Sequence, residues 1–499
     1  MSLTLLLSCG GYHSVEAPLW DPNVEVAGDS LYVMLPQARA LMRLADTGKT
    51  DFVDLDGATP DRLVPVPGGE RLLVYSSWVT CQDPEVELQR DCLEDDLGID
   101  YELGVLGAEG IEHRIDAPGH LDGLALSDDG RFAVMYLGGD LNASTVDRVA
   151  DLDSVFLVDL TSGASTSITV GFAPRNILFL PGNENALVLS RSTAVLVDLV
   201  EGDVDVRYEL TLDQDEGVDP SVAVLTPDGH YALVAISGED LLYKIDLQDP
   251  SIDIEELDGE PTALAVDEGC DCTVVAYRYE NQLDLLFHES FERETLEVED
   301  RTEALVEHDG IVLAFDRDSA GHDVYAIDLA SGELTEYVIA NRLSTAWIDD
   351  SGRFGVGLMI PESTSAGSDA VEAYADARYG LAVLELSDDE VRNLVLEGVP
   401  TEVGLLAGDT TTHAMVLLDQ DDEALLIDLS NPHPPAVIEL VAPPARLGTL
   451  NDGRFWISHE AALGALTVID PLAPGDQVVL EDFGAVGVFP DDTLVRRTP

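Results

Sequence analysis

One motif recurs along the chain and leaves few folds open to it. Ser127-Asp128-Asp129-Gly130-Arg131-Phe132-Ala133-Val134 is a turn followed by an apolar strand, and it returns as Thr226-Pro227-Asp228-Gly229-His230-Tyr231-Ala232-Leu233. Shorter copies are Asp350-Ser351-Gly352-Arg353-Phe354 and Asn451-Asp452-Gly453-Arg454-Phe455. Asp-Gly and Ser-Gly pairs suit a tight hairpin, because glycine takes positive φ without steric penalty. A second motif follows, an apolar strand ending in Ile/Val-Asp-Leu. Copies end at Leu160, Leu199, Leu247, Leu329 and Leu429, with a truncated one at Asp470. From turn glycine to this aspartate is 17 residues for Gly229 to Asp246, 18 for Gly310 to Asp328 and 17 for Gly453 to Asp470. Spacing that regular marks one supersecondary unit used repeatedly.

Each unit reads as four short strands: an inner apolar one, the strand after the turn, the strand ending in Asp-Leu, and a more polar outer one. Unit starts fall near residues 60, 120, 173, 219, 260, 301, 342, 400, 444 and 484, with a further strand set in 24–56. The period is mostly 40–46 residues, lengthened by polar or acidic insertions at 80–101, 139–152 and 361–379. Four-stranded antiparallel sheets at this period predict an all-β β-propeller, in which radial packing buries both faces of each sheet. About ten units can be counted, against about four to eight in most propellers. A single large ring, two rings, and a ring of seven or eight blades all stay open. The propeller is expected to span 24–499, closed by N- and C-terminal strands, because Val486–Arg497 reads as an incomplete unit.

The Pro-Asp-Gly turn, together with Val324-Tyr325-Ala326-Ile327-Asp328-Leu329-Ala330-Ser331-Gly332, resembles the YVTN-type bacterial β-propellers, relatives of the WD-repeat proteins. The likeness covers nearly the whole chain after about residue 24. No unit ends in a Trp-Asp pair, which departs from the WD-repeat pattern itself.

Charge narrows the partners. The chain holds 97 acidic residues against 25 basic, a net charge of -72, and Lys49 and Lys244 are its only lysines. Such a surface repels phosphate backbones, so nucleic acid is excluded as a partner. The acids are spread through turns along the chain and read as a salt-tolerant, solvated surface. Hydrophobic residues are 45%, enough for a large core, yet no run of about twenty apolar residues offers a membrane span.

The N-terminus carries a different signal. Leu6-Leu7-Ser8-Cys9 resembles the lipobox of bacterial lipoproteins, which implies a lipid on Cys9, with 1–8 the remnant of a signal peptide and 9–23 a tether. The expected location is the bacterial cell envelope, lipid-anchored, with secretion as the alternative and the anchor as the only membrane contact. The remaining cysteines divide into two disulfides, Cys81 with Cys92 and Cys270 with Cys272.

Catalytic signatures are missing from the sequence. The ten histidines form no His-x-His or His-x-x-x-His pair, and no nucleophile elbow, phosphate loop or dinucleotide fingerprint appears. Asp316–Asp323 and Asp213–Gly217 resemble calcium loops but lack a full ligand set, and read as solvated turns. Neither a metal nor a cofactor is expected. Superposing the units on their turns places Arg62, Asp122, Arg175, Ser221, Thr262, Thr302, Ser344, Thr401 and Arg446 around one mouth of the central channel. Three arginines there suggest a site for a small anionic ligand or the acidic loop of an envelope protein; polar solvated loop positions are the plainer reading. The expected function is therefore a non-catalytic binding or scaffold propeller. The alternative is a lactonase-like hydrolase holding a divalent cation in the channel.

Overall fold

A computed structural model describes residues 23–481, apart from 46–48, 82–96, 139–151, 212–217, 268, 289, 318–320, 363–373, 376, 388–389, 409–410, 420–421 and 462–463. Ten antiparallel four-stranded sheets account for all forty strands, each sheet built from four consecutive strands. The blades span 24–54, 59–117, 123–169, 176–209, 220–256, 261–297, 304–338, 343–395, 400–439 and 444–481, and are numbered 1 to 10 in that order. Among the described residues no helix is long and apolar enough to cross a membrane.

Blade 5 shows why the sequence makes this unit. Its strands are Pro220–Leu225, Tyr231–Ile236, Leu241–Asp246 and Ser251–Glu256. Ala232 through Ile236 are all buried, because the second strand is covered on both faces by neighbouring blades, so it reads as a continuous apolar run. The fourth strand lies at the rim, is mostly exposed, and is correspondingly acidic. Between the first two strands, Thr226 Oγ1 donates to Asp228 Oδ1 at 2.6 Å and the Gly229 N–H closes on the Thr226 carbonyl at 2.8 Å. Gly229 sits at φ 67°, and a Cβ there would collide with Pro181 of blade 4, so the position accepts only glycine.

The aspartate of Asp-Leu has a local task. Asp246 Oδ1 accepts the N–H groups of Gln248 and Asp249 at 2.9 and 2.8 Å, closing the turn into the fourth strand. Asp159, Asp198 and Asp328 repeat the arrangement in blades 3, 4 and 7. A carboxylate that replaces backbone acceptors in a turn is an Asx-turn, which is why the residue recurs there.

Ten apolar clusters fill the gaps between blades, each shared by two neighbours. One joins Val33, Leu35 and Met42 of blade 1 to Trp456, Leu466 and Val468 of blade 10. Asn451 Nδ2 also donates to the Gly28 carbonyl at 2.7 Å across the same gap. The molecule is thus one closed ring of ten blades, which decides against two rings and against seven or eight blades. Strand set 24–56 is itself the complete first blade, and the unit expected from 484 lies outside the described residues. Blades 1 and 10 are each contiguous in sequence; any strand exchange with Val486–Arg497 would likewise fall outside the described residues.

Candidate functional site

Strand direction decides which groups share a face. In a four-stranded meander the start of the first strand, the end of the second and the connection to the third lie at one end. The insertions leave blades 2, 3 and 8 between second and third strands, after Cys81, Tyr136 and Met359. They therefore attach on the same face, called upper here, as the expected channel-mouth residues.

Six first strands open with one or two paired residues followed by one that the ladder skips: Asp61, Ser221, Thr262, Ser344, Thr401 and Ala445. Each is a β-bulge, which turns its side chain out of the ladder. Four hydroxyls at the bulge donate back to the second strand: Ser221 to Ala235 O at 3.2 Å, Thr262 to Ala276 O at 3.3 Å, Ser344 to Leu358 O at 3.2 Å and Thr401 to Leu417 O at 3.5 Å. Their polarity serves the backbone first.

The bulge also displaces the register. Arg62 and Arg446 stand one residue beyond it, in the positions that Val222 and Ala263 hold in blades 5 and 6. Both act on Glu25 of blade 1, which lies between their blades. Burial raises the Glu25 carboxyl above its ordinary range, and the charges of Arg446 and Arg62 oppose that shift. Arg62 Nη1 also donates to the Asp122 carbonyl at 2.9 Å. The Asp122 carboxylate accepts the Gly138 N–H at 2.6 Å, and Arg175 pairs with Asp219 at 2.9 Å. Thr302 is fully buried, and its hydroxyl has no hydrogen-bond partner among the described residues. All nine lie at or just before the starts of first strands, and there Arg62 and Arg446 flank the carboxylate of Glu25.

The signal for most of the bulge positions is the proline before them. Pro60, Pro220, Pro261, Pro400 and Pro444 precede five of the six bulged residues, with Leu343 before the sixth. A second tier lies just past second strands: Arg191 and Arg278 follow Ser190 and Tyr277 in blades 4 and 6, and Arg317 stands two residues beyond Phe315 in blade 7. With Arg175 they place four arginines on blades 4, 6 and 7 of a strongly acidic molecule.

A cavity of about 340 Å³ opens there, with Ser221, Thr262, Glu260, Glu303, Arg278 and Arg317 in its wall. Arg278 pairs with Glu260 at 3.3 Å, and the same carboxylate accepts the Gly238 N–H at 2.9 Å. Glu303 is 8% exposed, and its backbone N–H donates to the Phe315 carbonyl at 3.1 Å. Arg317 is exposed and makes no ion pair among the described residues. The cavity lies at the small end of ligand sites, which run to about 300–1,000 Å³.

The remaining candidates fall elsewhere. Glu299, Asp323 and Glu336 bring carboxylate oxygens within 4.8 Å of one another, but at the outer half of blades 6 and 7 and not at the axis that a channel cation would occupy. Burial raises the Asp323 carboxyl, and the neighbouring charges of Asp300 and Glu336 raise it further. Asp316, first residue of the expected calcium loop, is taken by Arg301 at 2.9 Å, while 318–320 and the loop at 213–217 lie outside the described residues. Cys270 and Cys272 are joined across the first turn of blade 6, with Cα atoms 5.2 Å apart. Asp271 between them holds buried His288, at 2.9 Å from Nδ1. Cys9, Cys92 and the side chain of Cys81 are outside the described residues.

Fold and mouth together define a ten-bladed β-propeller with a polar cavity on its insertion-bearing face. Protein NirF of Stutzerimonas stutzeri is 30% identical to it over 167 residues, 31% of this chain and 40% of NirF. No protein-family model matches the chain. Among solved structures, the dihydro-heme d1 dehydrogenase NirN in complex with DHE is 17% identical, with 72% of this chain and 75% of NirN covered at a TM-score of 0.42. A eukaryotic initiation factor is 10% identical, with 74% and 90% covered at 0.49. At such scores these likenesses add nothing to the fold read directly from the ten sheets.

Proposed function

We propose that this chain is a non-catalytic binding propeller of the cell envelope whose upper mouth holds a small ligand through an anionic group. One observation carries the reading: in a chain of net charge -72, Arg278 and Arg317 of blades 6 and 7 line a small polar cavity, and Arg175 and Arg191 stand on blade 4. Arginine presents a planar fork of donors that matches carboxylate and phosphate, and a concave site strengthens that pairing. The resemblance of Leu6–Cys9 to a lipobox supports an anchored location, and mass spectrometry of the mature N-terminus from the native host tests it. The partial likeness to NirF is compatible with the reading.

Isothermal titration with acetate, glutarate and inorganic phosphate is the test, and dihydro-heme d1, the compound in NirN's name, serves as a larger probe. At least one anion is expected to bind, and Arg278→Ala with Arg317→Ala is expected to weaken it at least tenfold. Arg454→Gln removes a positive charge from the opposite face, where Arg454 pairs with Asp452, and is expected to leave affinity within twofold. Equal affinity in the mouth variant and the wild type would refute the site.

A further inference from the structure

We propose that the Cys270–Cys272 disulfide, on the face opposite the cavity, is a thiol–disulfide exchange site that takes electrons from a dithiol. The starting point is how blade 6 departs from its neighbours. In blades 3, 4, 5 and 7 a buried leucine follows the third strand: Leu160, Leu199, Leu247 and Leu329. Each gives its N–H to the carbonyl of the residue just before the second strand, Arg131, Glu184, His230 and Gly310 respectively. In blade 6 the same bond runs from His288 to Asp271 at 3.0 Å, so His288 occupies the leucine position. It is 3% exposed, with Nδ1 2.9 Å from Asp271 Oδ1 and Nε2 2.8 Å from Thr273 Oγ1. Cysteines, aspartate, threonine and histidine thus break the repeat together at one turn, and such breaks are where function is expected. The Asp-His-Thr row is no hydrolytic triad, because the Thr273 hydroxyl is fully buried and offers no nucleophile.

The sulfur–sulfur bond adds little to the fold. Its cysteines are separated by one residue, and a loop that short removes least entropy from the unfolded chain. The turn is closed without it. Asp267 pairs with Cys272 in the ladder, Asp267 Oδ2 accepts the Cys270 N–H at 2.8 Å, and His288 holds Asp271 through main chain and side chain. The two sulfurs differ in access: Cys270 is half-buried and Cys272 is 1% exposed. Exchange requires a thiolate to reach a sulfur, so Cys270 is the one attacked. The first thiolate of the dithiol bonds to Cys270 Sγ while the bond to Cys272 breaks, and Cys272 leaves as a thiolate. The second thiolate then attacks its own partner sulfur in the mixed disulfide and displaces Cys270. The dithiol ends as a disulfide, two electrons poorer, and the two protons it releases balance those taken up by Cys270 and Cys272. The anchored turn keeps the two thiols adjacent for reoxidation.

Treating the folded chain with dithiothreitol at neutral pH, then alkylating and mapping peptides, tests this. Cys270 and Cys272 are expected to be reduced within minutes with circular dichroism unchanged, and to rejoin in excess hydroxyethyl disulfide. Cys272→Ala, which leaves Cys270, is expected to react with dithiodipyridine at least tenfold faster than Cys270→Ala. The variant carrying both alanines is expected to melt within a few degrees of the wild type. Cysteines that resist dithiothreitol until the chain is unfolded in urea overturn the proposal. A large loss of melting temperature in the double variant marks a structural staple and overturns it too. Equal reactivity of the two single variants overturns attack at Cys270.

Discussion

His459 is the residue whose surroundings most clearly govern a solution property. It is fully buried in blade 10, with Nδ1 2.9 Å from the Ala442 carbonyl and Nε2 2.7 Å from the Thr467 hydroxyl. Burial lowers its pKa, and the Ala442 carbonyl and the more distant charge of Asp422 only oppose that. His413 is shifted the same way by burial, against Asp428. A histidine held neutral in the fold titrates near 6.5 once unfolded, so below that pH the unfolded chain binds more protons. Stability is therefore complete above about pH 6.5 and falls with acidification until the folded pKa is passed. Melting temperatures between pH 7 and 5 should fall in the wild type and fall less in His459→Gln. Equal slopes would show that other groups carry the dependence. Nothing in the sequence around His459 announces this burial; the surrounding strands must first be packed.

At the scale of the element, the turn into the fourth strand is closed by one aspartate in most blades. Asp198 Oδ1 accepts the N–H groups of Val200 and Glu201, both at 2.8 Å. Asp198→Ala should lower stability in urea unfolding by about 1–2 kcal/mol, since two hydrogen bonds to a charged acceptor are lost in a partly solvated turn. Asp198→Asn keeps an acceptor and should recover most of it; an alanine variant as stable as wild type would remove the capping role. These turns were legible as sequence because both partners lie within three residues. The first-strand bulges were not. A bulge adds one residue to one strand, and superposing units on their turns carries no record of it, so Arg62 and Arg446 aligned with Ser221 although they stand one position further on. The proline before five of the six bulges was the available mark.

At the scale of the molecule, ten inter-blade cores hold a ring whose surface repels itself. Raising salt from 0.1 to 1 M shortens the Debye length from about 10 to about 3 Å and screens that repulsion. The melting temperature should rise steadily with sodium chloride, and a flat response would mean that the acids are already neutralised by local pairing. The sequence by itself determined the blade: four strands, their apolar and polar faces, the glycine turn and the aspartate cap. All of these arise from contacts within some twenty residues, and repetition made them visible. Ring size and the mouth were decided by tertiary structure alone. Whether ten blades close as one ring depends on how Met42 meets Trp456, more than four hundred residues away. The cavity likewise exists only because curvature brings Ser221, Glu260, Arg278, Glu303 and Arg317 from three blades to one place. Local pattern can say that such residues are polar. It cannot say which of them meet, or that two hydroxyls have already given their protons away.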